Sequence, residues 1–247
     1  MRARARISTG ALAAIAVAAA GLLLAWPGPV AAHDGATLDS GPGAETIAPA
    51  ASGGRAREAD FRGEAASSDA RRVADWVVEG RDNQALPFVI IDKLRAKVFV
   101  FDGDGRLRGA TLALLGRARG DESAPGVGKR KLHAIRPAER TTPAGRFVAS
   151  PGRDFQHDVL WIDYDDSISM HRVVTGDPGD HRLQRLSTTS AHDKRISYGC
   201  INVPAKFYDD VVISTLGRTD SIVYILPEVK SIREVFAISD VDSPGSR

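Results

Sequence analysis

One cysteine occurs in the 247 residues, Cys200, within Ile196-Ser197-Tyr198-Gly199-Cys200-Ile201-Asn202. A single thiol cannot close an internal disulfide, so its chemistry is that of a nucleophile or of a bridge to another molecule. A free thiol has a pKa of about 8.5 and is only partly ionised at neutral pH; to attack, it needs a base in contact with it. Three histidines lie upstream, His171, His181 and His192. The first falls in a run of strand character over 167–174, and the other two fall in the polar stretch 175–195, which reads as a long loop. A strand fixes a catalytic ring better than a mobile loop does, so His171 is the preferred base, with His181 and His192 as rivals.

The first residues read as an export signal. Arg2, Arg4 and Arg6 give a positive start, 11–24 is apolar and uncharged, and Val30-Ala31-Ala32 supplies the small residues a signal peptidase reads. On that reading 1–32 is removed and the mature chain begins near His33, in the periplasm or cell envelope; the alternative is an uncleaved membrane anchor. Loss of the three arginines takes the formal net charge from +2 to −1, because no acidic residue precedes His33. So neutral a chain has no bulk attraction to nucleic acid.

Residues 33–67 are rich in Ala, Gly, Ser and Pro and read as a disordered linker. Ser68 or Asp69 could cap a short helix carrying Val73, Trp76 and Val77 on one face, ended by Gly80 and packed at the edge of the domain, so 68–84 is a helix with its connector. From 85 to 228 the pattern is β-rich. Runs at 88–91, 98–101 and 106–115 form a meander with its turn at Asp102-Gly103-Asp104-Gly105, and further runs lie at 147–149, 159–164, 167–174 and 221–226. The fold class is therefore mainly β, a sandwich or barrel, with one short helix after the cysteine. Pro204 could open that helix, with Phe207, Tyr208, Val211 and Val212 on one side. Residues 229–247 read as a C-terminal tail.

Several tempting motifs fail. Asp102-Gly103-Asp104-Gly105 lacks the later oxygen ligands of a calcium loop, and Gly126-Val127-Gly128-Lys129 lacks the first glycine and the Ser or Thr of a phosphate loop. No pair of histidines has the close spacing of a structural zinc site, so no metal and no cofactor is expected.

The histidine on a strand, the segment Ser197-Tyr198-Gly199-Cys200-Ile201-Asn202, and the upstream Thr142-Pro143-Ala144-Gly145-Arg146-Phe147 together resemble the catalytic domain of the L,D-transpeptidases, the YkuD-type family. The resemblance covers about 85–228. It implies a mainly β domain, a cysteine nucleophile and a peptidoglycan stem peptide as substrate. Tyr198 stands where the family often has histidine, and Arg172 where it often has glycine. The gap between His171 and Ser197 is longer than usual, which makes 175–195 an inserted loop beside the site. His181 matches the usual spacing but lacks the preceding strand.

On this resemblance Cys200 attacks the carbonyl after the third residue of a donor stem peptide and forms a thioester, and His171 takes and relays the proton. The amides of Tyr198, Gly199 and Cys200 face the developing oxyanion, while Ser197 and Asn202 hold the turn. Arg172, Arg185 and Arg195 are candidate clamps for substrate carboxylates. Transfer to an amine makes the protein a cell-wall L,D-transpeptidase. Transfer to water makes it an L,D-carboxypeptidase or related hydrolase, and a thiol without function leaves a non-catalytic wall-binding domain. The oligomeric state is not legible.

Overall fold

A computed structural model describes residues 57–238. The expected signal peptide, residues 33–56 of the linker and residues 239–247 of the tail lie outside the described residues. Among those described, no helix is long and apolar enough to cross a membrane.

Within the described residues ten strands carry the fold. The meander is β1 (Phe88–Asp92), β2 (Lys97–Phe101) and β3 (Leu107–Leu112), followed by the short β4 (Leu115–Gly116). Then come β5 (Gly145–Asp154), β6 (His157–Asp163), β7 (Ile168–Arg172), β8 (Arg195–Ser197), β9 (Ile201–Val203) and β10 (Ser221–Ile225). Eight of them form one sheet in the order β3-β2-β1-β10-β5-β6-β7-β9, and β4 pairs with β8 in a second. The large sheet curls until its ends nearly meet. Just beyond β3, Leu114 exchanges two backbone hydrogen bonds with Asn202 of β9, at 2.8 and 2.9 Å. The mainly β, barrel-like class expected from the sequence is what the chain adopts.

The alternation of each strand explains two cores. In β1, Val89 and Ile91 point into the barrel with Val98, Val100, Met170, Val223 and Ile225, while Phe88 and Ile90 point outward with Phe99, Phe101 and Tyr224. Being buried on both faces, these central strands have apolar residues at nearly every position. Helix α1 (Ser68–Gly80) covers the outer face through Val73 and Val77. The helix therefore lies on the sheet and not at its edge, and Ser67 caps it, its hydroxyl accepting from the Ala70 amide at 3.1 Å. The helix closes with Arg81 in the left-handed conformation, one residue after Gly80.

Both flanks of the domain are more ordered than composition implied. Within the expected linker, Asp60 bridges to Arg106, and Phe61 is buried in edge contact with Phe99 and Phe101, with ring centroids 5.5 and 5.1 Å apart. Within the expected tail, Ser231 and Glu234 form a capping box that opens helix α5 (Ile232–Phe236), and Ile232 and Phe236 join the outer core. The return expected over 106–115 breaks after Leu112, so that Leu115 and Gly116 can pair with β8. After the cysteine, Pro204 caps α3 (Ala205–Phe207) from outside the helix, which continues through a π turn at Tyr208–Val212 into α4 (Ile213–Leu216). Tyr208 and Val212 are buried as the sequence pattern requires.

A buried ionic hub braces the barrel end nearest the cysteine turn. Lys93 is fully buried and donates to Asp121 Oδ1 at 2.8 Å, Gly120 O at 2.6 Å and Thr142 O at 2.9 Å. Asp121 also accepts the amides of Glu228, Val229 and Lys230, at 2.8, 2.9 and 2.7 Å. Burial alone would raise its pKa, but the Lys93 ammonium and these three amides bring it down from 3.8 to about 2. Because that folded-state pKa lies below the unfolded one, the contribution is complete above the ordinary carboxylate range and is lost as pH falls from about 4 toward 2. Lys93→Met should cost about 3–5 kcal/mol, since it leaves Asp121 buried without its cation. Urea unfolding at pH 7 measures this, and an unchanged midpoint would contradict it.

Candidate active site

Strand register brings the expected pair together. β7 and β9 run parallel with Met170 opposite Ile201 and His171 opposite Asn202, so Ser169 lies alongside Cys200 just ahead of β9. Ile168 and Met170 point into the barrel core, which sends Ser169 and His171 to the other face. Cys200, Ser169, His171 and Asn202 are thus gathered on one patch by backbone geometry. The Cys200 thiol and the His171 ring lie on this patch close enough for each to shift the other's titration.

The ring orientation follows from its second contact. His171 Nδ1 lies 2.7 Å from the Arg172 carbonyl oxygen, which can only accept, so Nδ1 carries the proton. Nε2 keeps its lone pair and faces the Asn202 side-chain amide at 3.5 Å. Burial opposes ionisation of the thiol, but His171 and the Ser169 backbone and hydroxyl outweigh it and hold the Cys200 pKa below the ordinary thiol value. Burial likewise opposes the imidazolium, yet the thiolate and the Arg172 carbonyl raise His171 above 6.5. Both shifts favour a thiolate–imidazolium pair. Ser169 Oγ stands 3.7 Å from Sγ, and Sγ is 3.4 Å from the Ser167 carbonyl.

The turn ahead of β9 is locked from within. Ser197 Oγ donates to Cys200 O at 2.7 Å and accepts from the Gly199 amide at 3.1 Å, while Asn202 Nδ2 donates to Cys200 O at 3.2 Å. Gly199 has φ +138°, and a Cβ there would sit 2.7 Å from Ile168 Cδ1 and 2.8 Å from Thr141 O. No other residue fits. The Gly199 amide, expected from the sequence to face an oxyanion, is instead committed to Ser197. The Arg140 guanidinium covers the Tyr198 ring at 3.9 Å.

The three expected carboxylate clamps are spent elsewhere. Arg172 alternates to the face opposite His171, where it pairs with Asp158 at 3.1 Å and Asp209 at 2.8 Å and lies over the Tyr208 ring. Arg195 is bidentate to Glu228, at 2.6 and 3.1 Å, and also donates to Lys93 O. Arg185 donates to the carbonyls of Asp180 and Asp193, at 2.8 and 2.9 Å. It thereby ties together the insertion, which is not a featureless loop. That insertion contains α2 (Arg182–Ser187) and is pegged by Lys194, which is buried and donates to Arg185 O and Thr188 O at 2.8 and 2.6 Å. Its one polar reach to the patch is Arg182, bonded to Asn202 Oδ1 at 3.2 Å and to Asp180 at 2.8 Å. His181 and His192 are both exposed on this insertion.

Three contributors escaped the sequence reading. Ser169 had a signal, since it lies two residues before His171 on one strand and must share its face. Arg182 had none, because its place depends on how the insertion folds. Thr142 belonged to a noticed turn, but its bond to the cysteine turn, 2.7 Å from Oγ1 to Gly199 O, spans 57 residues of sequence.

No protein-family model matches the chain. No curated protein matches it either. Solved structures similar to it include the helical cell shape determining protein Pgp2 from Campylobacter jejuni, at 15% identity over 59% of this chain and 49% of that one, with a TM-score of 0.39. They also include the C442S mutant of an L,D-transpeptidase from Enterococcus faecium, at 18% identity over 57% and 49%, with a TM-score of 0.31. An L,D-transpeptidase from Mycobacterium tuberculosis is similar at 14% identity over 57% of each chain, with a TM-score of 0.35. The chain spans about half the length of the first of these structures.

Proposed function

We propose that the protein is an exported L,D-transpeptidase acting on peptidoglycan stem peptides in the cell envelope. The observation that carries this is the lone thiol set by strand register on the same patch as a histidine whose Nδ1 is fixed by a backbone carbonyl. The quoted sequence segments around Thr142 and Cys200 supply the substrate class.

In this reading the Cys200 thiolate attacks the carbonyl after the third residue of a donor stem peptide. The oxyanion that forms is met by the Tyr198 and Cys200 amides. As the tetrahedral species collapses, the C–N bond to the terminal D-amino acid breaks and His171 gives its proton to the leaving amine. An acceptor amine then loses a proton to His171 and attacks the thioester, the C–S bond breaks, and the joined peptide leaves the thiolate as it began. Arg172, Arg185 and Arg195 are engaged in ion pairs or carbonyl contacts and do not serve as clamps for a substrate carboxylate.

The insertion favours transfer over hydrolysis, because an ordered segment beside a thioester limits the access of water. Incubation with a tetrapeptide donor and an amine acceptor should give mainly joined product with loss of the terminal D-amino acid, read by mass spectrometry. Replacing 176–190 by a short Gly-Ser link should raise the hydrolysed fraction. A donor that is only trimmed at every acceptor concentration would replace this reading by the carboxypeptidase.

A further inference from the structure

Thr142 is fully buried and lies on the segment before β5, far in sequence from the cysteine turn it touches. Its hydroxyl accepts from the Gly116 amide at 2.9 Å, which directs the hydroxyl proton the other way, onto Gly199 O at 2.7 Å. The backbone of Thr142 is itself held, since its carbonyl accepts from the buried Lys93 ammonium at 2.9 Å. The next carbonyl upstream, Thr141 O, abuts Gly199 so closely that a Cβ could not be inserted. The clamp on Gly199 O is therefore rigid on both sides.

A trans peptide unit points its carbonyl and its amide in opposite directions. Gly199 O and Cys200 N–H belong to one such unit. Drawing the carbonyl inward onto Thr142 turns the Cys200 amide the other way, away from the buried hydroxyl. The next carbonyl, Cys200 O, is pinned separately by Ser197 and Asn202. Thr142 thus decides the direction of the one amide donor that belongs to the nucleophile itself.

We infer that Thr142 is a positioning residue that aims the Cys200 amide at the oxyanion formed during acylation, and that it does so without setting the reactivity of the thiolate. The inference rests on Cys200 acting as an acyl-accepting nucleophile, whatever its natural substrate. Two reactions of one thiol separate the roles. Acylation by p-nitrophenyl acetate forms the Sγ–C bond through an oxyanion and expels p-nitrophenolate. Alkylation by iodoacetamide forms an Sγ–C bond and expels iodide with no oxyanion at all.

Full-length Thr142→Val should lose about tenfold to a hundredfold in the acylation rate, the range expected for misaiming one oxyanion donor. Its alkylation rate and the pH midpoint of alkylation should stay within twofold and within the scatter of the parent. Thr142→Ser, which keeps the hydroxyl, should restore acylation; Thr142→Ala, which leaves room for water, serves if the valine variant does not fold. Cys200→Ala supplies the background for both reagents. Equal loss in both reactions would make Thr142 merely structural and overturn the inference, as would no loss in either. A parent protein that is alkylated but never acylated at Cys200 would overturn the nucleophile reading, and the inference with it.

Discussion

Cys200→Ala should fold as the parent does and form no covalent adduct with any stem-peptide donor. The substitution removes a small, half-buried thiol and leaves every backbone bond of the turn in place, including those from Ser197, Asn202 and Thr142. Stability should therefore change by about 1 kcal/mol or less, since little volume is lost from the core. Activity should fall to the background of the reagents, because the chain has no second thiol to form the thioester. Joined product from the alanine variant would end the enzyme reading.

His171→Ala should lower acyl transfer by about a hundredfold to ten-thousandfold, the span of a positioned general acid–base. The sign of its pH effect is also fixed. In the parent, burial raises the thiol pKa while His171 and Ser169 bring it below its ordinary value; without the ring, the largest opposing influence is gone and the pKa moves up. The midpoint of the alkylation–pH curve should accordingly shift to higher pH in His171→Ala. His181→Ala, at an exposed position on the insertion, should leave both midpoint and rate near those of the parent. The reverse ranking of the two variants would move the base to His181.

The site was legible where it depends on local pattern. A lone thiol, a strand-borne histidine and a Ser-x-Gly-Cys turn are one-dimensional features, and the strand alternation that separates Ser169 and His171 from Met170 follows from period two. The strands themselves were legible for the same reason, although β5 runs to Asp154 where Pro151 and Gly152 hide its periodicity. What the sequence withheld is pairing over long separations. An arginine on a polar stretch looks like a clamp until its carboxylate appears, and Asp158, Asp209 and Glu228 lie 14, 37 and 33 residues from the arginines they hold. Thr142 to Gly199 is the same kind of contact. Two local signals were also overridden: a Ser231–Glu234 capping box within the expected tail, and Phe61, one large apolar residue in a polar segment that the β2 aromatics bury.

The most direct measurement of the central claim is the intact mass of the protein after brief exposure to a tetrapeptide stem donor without acceptor, followed by mapping of the modified peptide. The expected result is a mass increase equal to the tripeptide acyl group, lost on treatment with hydroxylamine, and located on Cys200 of the parent but absent from Cys200→Ala. An unmodified parent mass while the donor is consumed, or an adduct on any other residue, would contradict it.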